Sequence, residues 1–413
     1  MMHVLIIGSV WPEPNSSGAG LRMMELIRLF RAQQWQVTFS CTAVESEFMA
    51  DLDALSVQRR MIAVNDDTFD RFLTEMNPDI VVFDRFPIEE QFGWRVERQC
   101  PHALRVLETI DLHCLRQARH QLLKRQAQVA TKVDSPDLHN EVALREIAAM
   151  LRSDLSIMVS DYEIELLKRQ FSVDDSLLHL CPFMFADHQI QRENPAFEQR
   201  QHFVTIGNFR HAPNWDAVLW LKQEIWPRIR NVLPEAELHI YGAYTPAKAM
   251  ALHKPEAGFF IQGRAEDVHQ VMLSARLCLA PLRFGAGIKT KLADAMLSGT
   301  PNVTTSIGAE GMSADLPWSG LIADSADDFS EQATALYQDK VQWQRCQQHG
   351  YNIIQTLFNE TKNGEALIRR MLQLREKLAE HRQNNFTGSM LRHHHHRSTE
   401  FMSRWIEAKN RLV

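Results

Sequence analysis

The stretch PLRFGAGIKTKLADAM occupies residues 281–296 and follows a short apolar run at 277–280. Such a run is typical of a strand buried in a parallel sheet, and the glycine pair after it lets the backbone approach a ligand closely. A helical pattern begins directly behind the pair, and the free N–H groups at a helix start attract anions. Lys289 and Lys291 add positive charge there. The stretch therefore predicts a diphosphate site at a strand–helix junction.

The same pattern has a plainer interpretation. A Gly-x-Gly sequence also occurs in tight strand–helix turns that bind nothing, and the two lysines then only face solvent. No Gly-Lys-Ser/Thr follows at the Walker spacing, so the stretch is not a P-loop.

Short apolar runs alternate with amphipathic stretches on both sides of this segment. This alternation predicts two α/β domains, each a doubly wound parallel sheet, that face each other across a cleft. The predicted strands lie at 4–7, 37–39, 80–83, 104–107 and 155–159, and again at 203–206, 238–241, 259–262, 277–280 and 302–305.

A polar stretch and the C-terminal composition set the expected boundaries. We expect an N-terminal domain at 1–185, a linker at 186–202, a C-terminal domain at 203–350, a closing helix at 351–382 and a tail of uncertain role at 383–413. The run of four histidines, 393–396, is interpreted as a solvated segment, because adjacent residues on a flexible segment do not fix metal ligands in space. The stretch 401–413 is amphipathic and suits contact with a membrane surface or a partner, or packing on its own protein.

Composition excludes several classes of protein. The chain of 413 residues has a net charge of −6, so it lacks the overall basic field of a nucleic-acid-binding protein. Its six cysteines are scattered, which argues against a disulfide framework. No export signal and no run of ~20 apolar residues is recognised. These features predict a cytoplasmic protein, at most peripheral to the inner face of a membrane.

Several motifs resemble, in order, those of the retaining glycosyltransferases of family four, which have the GT-B fold of two Rossmann-like domains. The resemblance covers roughly residues 2–380 and is most specific in the C-terminal half. It is carried by residues 285–296, 298–303 and 306–311, with supporting segments at 8–22, 111–113, 207–209 and 263–264 and with Arg116 and Arg119.

The resemblance implies that the C-terminal domain binds a nucleotide-diphosphate sugar. Asp294 matches the second acid of the family's paired-glutamate motif, which binds the ribose hydroxyls. The alternative interpretation is an acid in the first turn of a helix that stabilises the helix dipole. The first acid of that pair is replaced by Ala286, which puts side-chain contact with the donor sugar in doubt. The amides of Gly287 and Ile288 would hold the phosphates, and Lys289, if not merely solvated, would neutralise the leaving group.

Three further residues complete the expected donor side. Gly207 matches the first strand–loop of the family's donor domain, and Arg210 matches a basic residue that faces the diphosphate. Arg264 matches the loop that flanks the base, although a surface arginine is an equally good interpretation.

The N-terminal domain is expected to bind the acceptor. His113 matches the family's polar residue that faces the reacting carbon, although a lone histidine is more often structural. Asp111 would orient it or bind acceptor, and Gly18, Gly20 and Arg22 would border the cleft.

The resemblance implies transfer with retention, in which the departing diphosphate helps to take the acceptor's proton. No metal and no other cofactor is expected, since lysine and helix amides supply the charge and no Asp-x-Asp follows a strand in the donor half. The acceptor would be a glycan, a lipid-linked molecule or a protein. Two alternatives stay open: a nucleotide-sugar epimerase of the same fold, and a non-catalytic partner subunit.

Overall fold

The computed structural model describes residues 2–126, 128–129, 133–190 and 194–411, and within them it contains two parallel sheets. The seven strands of the first sheet are β1 (His3–Gly8), β2 (Gln36–Cys41), β3 (Gln58–Met61), β4 (Ile80–Asp84), β5 (Leu104–Glu108), β6 (Leu155–Met158) and β7 (Leu178–Leu180). The six of the second are β8 (Gln201–Ile206), β9 (Leu238–Tyr241), β10 (Phe259–Gly263), β11 (Ala275–Ala280), β12 (Asn302–Thr304) and β13 (Gly320–Ile322).

The strand order is β3-β2-β1-β4-β5-β6-β7 in the first sheet and β10-β9-β8-β11-β12-β13 in the second. In each, the first strand of the domain lies in the interior and the order reverses beside it, as in doubly wound folds. The predicted fold class, two doubly wound parallel-sheet α/β domains, is confirmed.

Helices cover both faces of the two sheets. Those up to the end of the first domain are α1 (Gly18–Ala32), α2 (Thr68–Met76), α3 (Phe86–Gln99), α4 (His113–Gln126), α5 (Ser135–Leu138), α6 (Glu141–Arg152) and α7 (Asp161–Phe171). Those that follow are α8 (Ala212–Trp220), α9 (Trp226–Val232), α10 (Ala247–Met250), α11 (Val268–Ser274), α12 (Thr290–Leu297), α13 (Ser306–Ala309), α14 (Ala326–Gln338), α15 (Lys340–Leu357), α16 (Glu360–Glu376), α17 (Leu378–Asn384) and α18 (Phe386–Asn410), with a π-helical turn at Leu221–Ile225.

The boundary between the domains differs from the expected one. β8 begins at Gln201, inside the expected linker 186–202. The sequence did not predict this start because the first two residues of the strand are polar and exposed or half-buried. Residues 191–193 of that linker lie outside the described residues.

The expected closing helix at 351–382 is three helices. It contains the end of α15, all of α16 and part of α17, and the break after α15 is fixed by Asn359, whose side chain accepts a hydrogen bond from the Lys362 amide at 2.9 Å. Leu367, Ile368 and Met371 of α16 are buried in the core of the N-terminal domain. The chain therefore returns to its first domain after completing the second.

The tail at 383–413 is part of the fold as far as residue 411. α18 packs on α3 and α6 of the N-terminal domain. Its buried residues are Gly388, Arg392, His396 and Ser403 rather than large apolar ones. The sequence did not predict the full length of this helix, because its contact with the N-terminal domain is made by small and charged side chains rather than by an apolar face. The interpretation of the histidine run as a solvated segment is wrong for His396, which is 8% exposed.

His396 lies between two carboxylates of α3. Its Nδ1 bonds Glu97, and its Nε2 is 3.7 Å from the Glu89 Oε1 atom. Burial opposes protonation, but the carboxylates of Glu89 and Glu97 outweigh it and raise the pKa of His396 overall.

We expect His396→Ala to lower the free energy of unfolding by about 1–3 kcal/mol. A histidine with a raised pKa stabilises the fold fully below its unfolded pKa of ~6.5 and loses this contribution as pH rises through the folded pKa. Denaturant unfolding at pH 6 should therefore show a larger difference from wild type than at pH 9. The exposed neighbour His394, changed to alanine, is the control, with an expected effect within about 0.5 kcal/mol. Equal effects of the two changes would contradict the buried pairing.

Candidate functional site

Loops at the carboxyl ends of strands from both sheets meet where the two domains face each other, a region here called the cleft. Residues 281–289, here called the glycine loop, approach the N-terminal domain so closely that a Cβ built on Gly287 would lie 2.7 Å from the Asp111 Cβ. Gly287 also has a φ of +63°. Space and left-handed backbone therefore both require glycine at this position. Gly18 approaches the other domain similarly, since its added Cβ would lie 2.8 Å from the Thr290 Cγ2 atom.

Glu163, near the start of α7, reaches the glycine loop from the N-terminal domain. Its Oε1 atom accepts hydrogen bonds from the amides of Gly287 at 2.7 Å and Leu112 at 3.2 Å. Glu163 is fully buried, and burial, followed by the nearby Asp111 carboxylate, raises its pKa. In this structure a carboxylate thus occupies the Gly287 amide that the sequence assigned to a phosphate.

Lys289 stands at the end of the glycine loop, just before α12. Its side chain is buried, and its Nζ atom donates to the Gly287 carbonyl at 2.6 Å. Burial lowers the pKa of Lys289, and the carboxylate of Glu310 works in the opposite direction. A cation in such low-dielectric surroundings acts strongly on charge that develops nearby.

Arg119 of α4 joins the two domains at the back of the glycine loop. Its fully buried guanidinium donates to the Gly285 carbonyl at 2.9 Å and to both carboxylate oxygens of Glu310, at 2.8 and 2.6 Å. The arrangement is bidentate, which fixes geometry as well as charge. Arg119 therefore holds the glycine loop and the turn after α13 against the N-terminal domain.

Asp111 and His113 lie together on the N-terminal side of the cleft. His113 Nε2 is 3.3 Å from Asp111 Oδ1, and Arg116 pairs with the other oxygen. Burial works to raise the pKa of Asp111, but Arg116 and His113 outweigh it and hold the pKa below its usual range. The His113 ring also packs edge-on against Phe86, with 5.4 Å between centroids. Asp111 therefore stays ionised beside the imidazole.

Asp294 lies on α12 as a half-buried carboxylate. Burial alone raises its pKa to about 7. The nearby Lys291 does not pair with it, since Lys291 Nζ donates to Asn214 Oδ1 at 2.7 Å. Ala286, half-buried, packs on the N-terminal core, and Ile288 packs in an apolar cluster to which both domains contribute.

Arg210 and Arg264 lie at another part of the cleft, on aromatic rings. The Arg210 guanidinium carbon is 3.7 Å from the centroid of Tyr244, and that of Arg264 is 4.4 Å from the centroid of Phe48 in the N-terminal domain. The Tyr244 hydroxyl donates to Glu13 at 2.8 Å. This aromatic and ionic contact joins the domains a second time.

Three predicted residues make close contacts inside the protein. A Cβ on Gly207 would lie 2.5 Å from the Asn214 Cγ atom, and one on Gly20 would lie 2.3 Å from the Glu13 carbonyl oxygen. Arg22 is fully buried and donates to the carbonyls of Cys181 and Pro182 at 2.7 and 2.9 Å. Its donors are thus engaged inside the protein, which gives no support to the expected acceptor-side role.

Sequence reasoning missed the residues that pair across the cleft. Glu163, Glu310, Glu13 and Tyr244 each contact the opposite domain. A signal was present for Glu163, which follows β6 at the carboxyl edge where ligands of such sheets bind. The sequence gives no sign of which partner each residue meets.

Comparison with known proteins supports a glycosyltransferase interpretation of this architecture. The family described as "Glycosyl transferases group 1" matches residues 200–339, the C-terminal domain with the glycine loop. No curated protein sequence matches the chain.

Solved structures match nearly the whole chain. Sucrose-phosphate synthase from Thermosynechococcus elongatus is 16% identical with a TM-score of 0.66, over 91% of this chain and 99% of that one. Anabaena HepE in complex with UDP and glucose is 12% identical with a TM-score of 0.67, over 89% and 99%. S. aureus TarM, in a complex that contains UDP and alpha-GlcNAc-glycerol, is 9% identical with a TM-score of 0.69, over 90% and 100%. The chain has the GT-B fold.

Proposed function

We propose that this protein transfers a sugar from a nucleotide-diphosphate sugar to an acceptor, with retention of configuration and without a metal ion. The observation that carries the proposal is the buried Lys289 beside the Gly287 amide, in the domain that matches group 1 glycosyltransferases. A helix start and a desolvated ammonium suit a departing diphosphate.

The residues divide into two sides of the cleft. On the donor side, Lys289 stabilises the leaving diphosphate, Asp294 accepts hydrogen bonds from the ribose diol, and Arg210 and Arg264 bind the outer phosphate and the base. On the acceptor side, Asp111 orients His113 toward the reacting carbon. Retention rests on the sequence resemblance, and the acceptor is a glycan, a lipid-linked molecule or a protein.

The test is a screen of nucleotide sugars by thermal shift, followed by transfer assays with the donor found. A ligand that binds only the folded state, at 100 times its dissociation constant, stabilises by about 2.7 kcal/mol. Retention predicts that the first product has the anomeric configuration of the donor, which nuclear magnetic resonance reads directly. Conversion of the donor without acceptor would indicate an epimerase instead, and binding without turnover on any acceptor would indicate a non-catalytic subunit.

Transfer should continue at an unchanged rate after exhaustive chelation with EDTA. The reason is that Lys289 and the helix amide take the place of a divalent cation at the diphosphate. Initial rates before and after chelation, with added Mg²⁺ or Mn²⁺ as a comparison, measure this. Loss of turnover that a divalent cation restores would contradict the assigned phosphate chemistry.

We also propose that α18 contacts a membrane surface. Phe401, Met402 and Trp405 are each more than half exposed, and Arg404 and Lys409 lie beside them. No helix in the described part of the chain has the length and apolar character to span a bilayer, so the contact would be peripheral.

Replacing both Phe401 and Trp405 by serine should reduce co-sedimentation with vesicles that contain anionic lipid by about tenfold, because two aromatic anchors leave the interface. Soluble transfer activity should not change. A matched change at Leu144, exposed on α6, serves as control. Undiminished sedimentation of the double variant would refute the lipid contact.

A further inference from the structure

A second cluster of chemically active side chains lies far from the cleft. His202 is at the start of β8, and Glu237 and His239 are at the start of β9. These are the amino ends of parallel strands, whereas the cleft lies at the carboxyl ends. β8 has six residues, which places the cluster on the order of 20 Å from the cleft edge.

The three side chains lie close together. The rings of His202 and His239 stack with centroids 4.1 Å apart and planes 9° apart. The His239 Nε2 atom is 2.8 Å from the Glu237 Oε2 atom. Each residue offers one ligand atom, and the three atoms all lie within 4.8 Å of one another.

The backbone at His202 has an unusual conformation. Its φ is +46°, a left-handed value that interrupts an extended strand. The strand ladders pair Gln201 and Phe203 with β11 and skip His202. Left-handed non-glycine residues cost free energy and concentrate at functional positions. This conformation places the His202 ring against the His239 ring. The His202 ring makes no hydrogen bond within the described residues.

We propose that His202, Glu237 and His239 form a binding site for a transition-metal ion of the zinc class. Two imidazoles and one carboxylate make a known three-residue zinc ligand set, with water in the fourth position. Ligand distances of ~2.0–2.2 Å require the ligand atoms to stand roughly 3.4 Å apart in a tetrahedron. An imidazole nitrogen binds an ion along a lone pair in its own ring plane, so one of the two stacked rings must also turn out of the stack. The Glu237 side chain, which is 47% exposed, can follow by rotation. Imidazole ligands favour zinc, nickel or copper over magnesium or calcium.

Such an ion would link the starts of two neighbouring strands of the C-terminal domain. Because the ion would lie at the edge of the sheet opposite the cleft, we expect it to stabilise this domain and to take no part in sugar transfer. Chelation should therefore lower the melting temperature of the zinc-loaded protein without changing turnover, which separates this site from a metal at the diphosphate.

The test is a zinc titration of the full chain, dialysed free of metal, by calorimetry. Wild type should bind one Zn²⁺ tightly. Glu237→Gln and His239→Ala should each weaken binding at least ~100-fold, since even outer-shell changes cost 10- to 100-fold. His202→Asn should do the same, and asparagine tolerates the left-handed backbone.

The histidines of α18 provide the matched control, because they are the other candidate ligands. Changing the exposed His393 and His394 to alanine together should leave the zinc dissociation constant within about twofold of wild type. Melting curves without metal establish that each variant is folded. The proposal is overturned if wild type binds no zinc, if the three site variants bind it as wild type does, or if the α18 double variant loses it.

Discussion

Replacement of Lys289 by alanine should reduce kcat by about 100- to 1,000-fold, the usual cost of removing one charge-stabilising donor from an active site. The ammonium is buried and bonds the Gly287 carbonyl, so its charge sits where a diphosphate would depart. The fold should survive, because deleting a buried charge removes a desolvation penalty along with its interactions. Initial rates at saturating donor and acceptor measure the loss.

Lys340→Ala is the control for a lost positive charge, since the Lys340 side chain is half-exposed and pairs with Glu198 at the surface. Turnover of Lys289→Ala within a few fold of this control, with normal melting, would remove Lys289 from the mechanism.

The pH profile gives a second measurement on the same residue. Burial lowers the pKa of Lys289, so the free enzyme loses this charge as pH rises, at a lower pH than the ordinary ~10.4. Because kcat/KM reports groups of the free enzyme, it should fall on the alkaline side in wild type. That fall should be absent from the residual activity of Lys289→Ala.

The strands that stand out most clearly in the sequence are those buried on both faces. Residues 80–83 and 104–107 are continuous apolar runs, and they are the central strands β4 and β5. β3 was missed because all four of its residues are exposed at the edge of the sheet, so no apolar run marks it. The full length of α18 was not predicted for a related reason, since Arg392, His396 and Ser403 bury polar groups against α3 and α6.

The candidate site divides in the same way. Gly287, Lys289 and Asp294 belong to one contiguous segment. Local chemistry selected Gly287 and Lys289, and the family resemblance selected Asp294. Glu163 and Glu310 act through pairs with residues more than 100 positions away, Gly287 and Arg119 respectively. Such pairs depend on how two domains meet, which leaves no local pattern in either segment.

These cross-domain pairs have a consequence for donor binding. Glu163 occupies the Gly287 amide, so a phosphate can reach that amide only if the carboxylate withdraws. The Glu163 carboxyl group and a phosphate compete for the same N–H group. The free energy of donor binding must therefore exceed the cost of breaking the Glu163–Gly287 hydrogen bond. Asp294 differs, because its carboxylate makes no ion pair within the described residues.

Asp294→Asn should therefore weaken donor binding while making the empty protein more stable. An ionised carboxylate accepts two hydrogen bonds from a diol, and bonds to a charged group contribute about 1.5–3 kcal/mol, so the donor dissociation constant should rise about 10- to 100-fold. Burial raises the pKa of Asp294 to about 7. The unfolded chain ionises this group near pH ~4, so the folded state is penalised increasingly from there up to about pH 7 and fully above it.

Asparagine carries no charge and escapes this penalty. Since Asp294 is partly exposed, we discount the shift for solvent screening and expect Asp294→Asn to raise the free energy of unfolding by about 1–3 kcal/mol at pH 8 and by almost nothing at pH 4. Denaturant unfolding at both pH values, with calorimetric donor binding at pH 8, measures the two effects. Asp327, whose side chain is 82% exposed, changed to asparagine, is the control, with little change in either quantity. Loss of stability with unchanged donor affinity would make Asp294 a structural residue of α12. A carboxylate that binds a ligand is retained although it lowers stability, whereas a structural carboxylate raises stability.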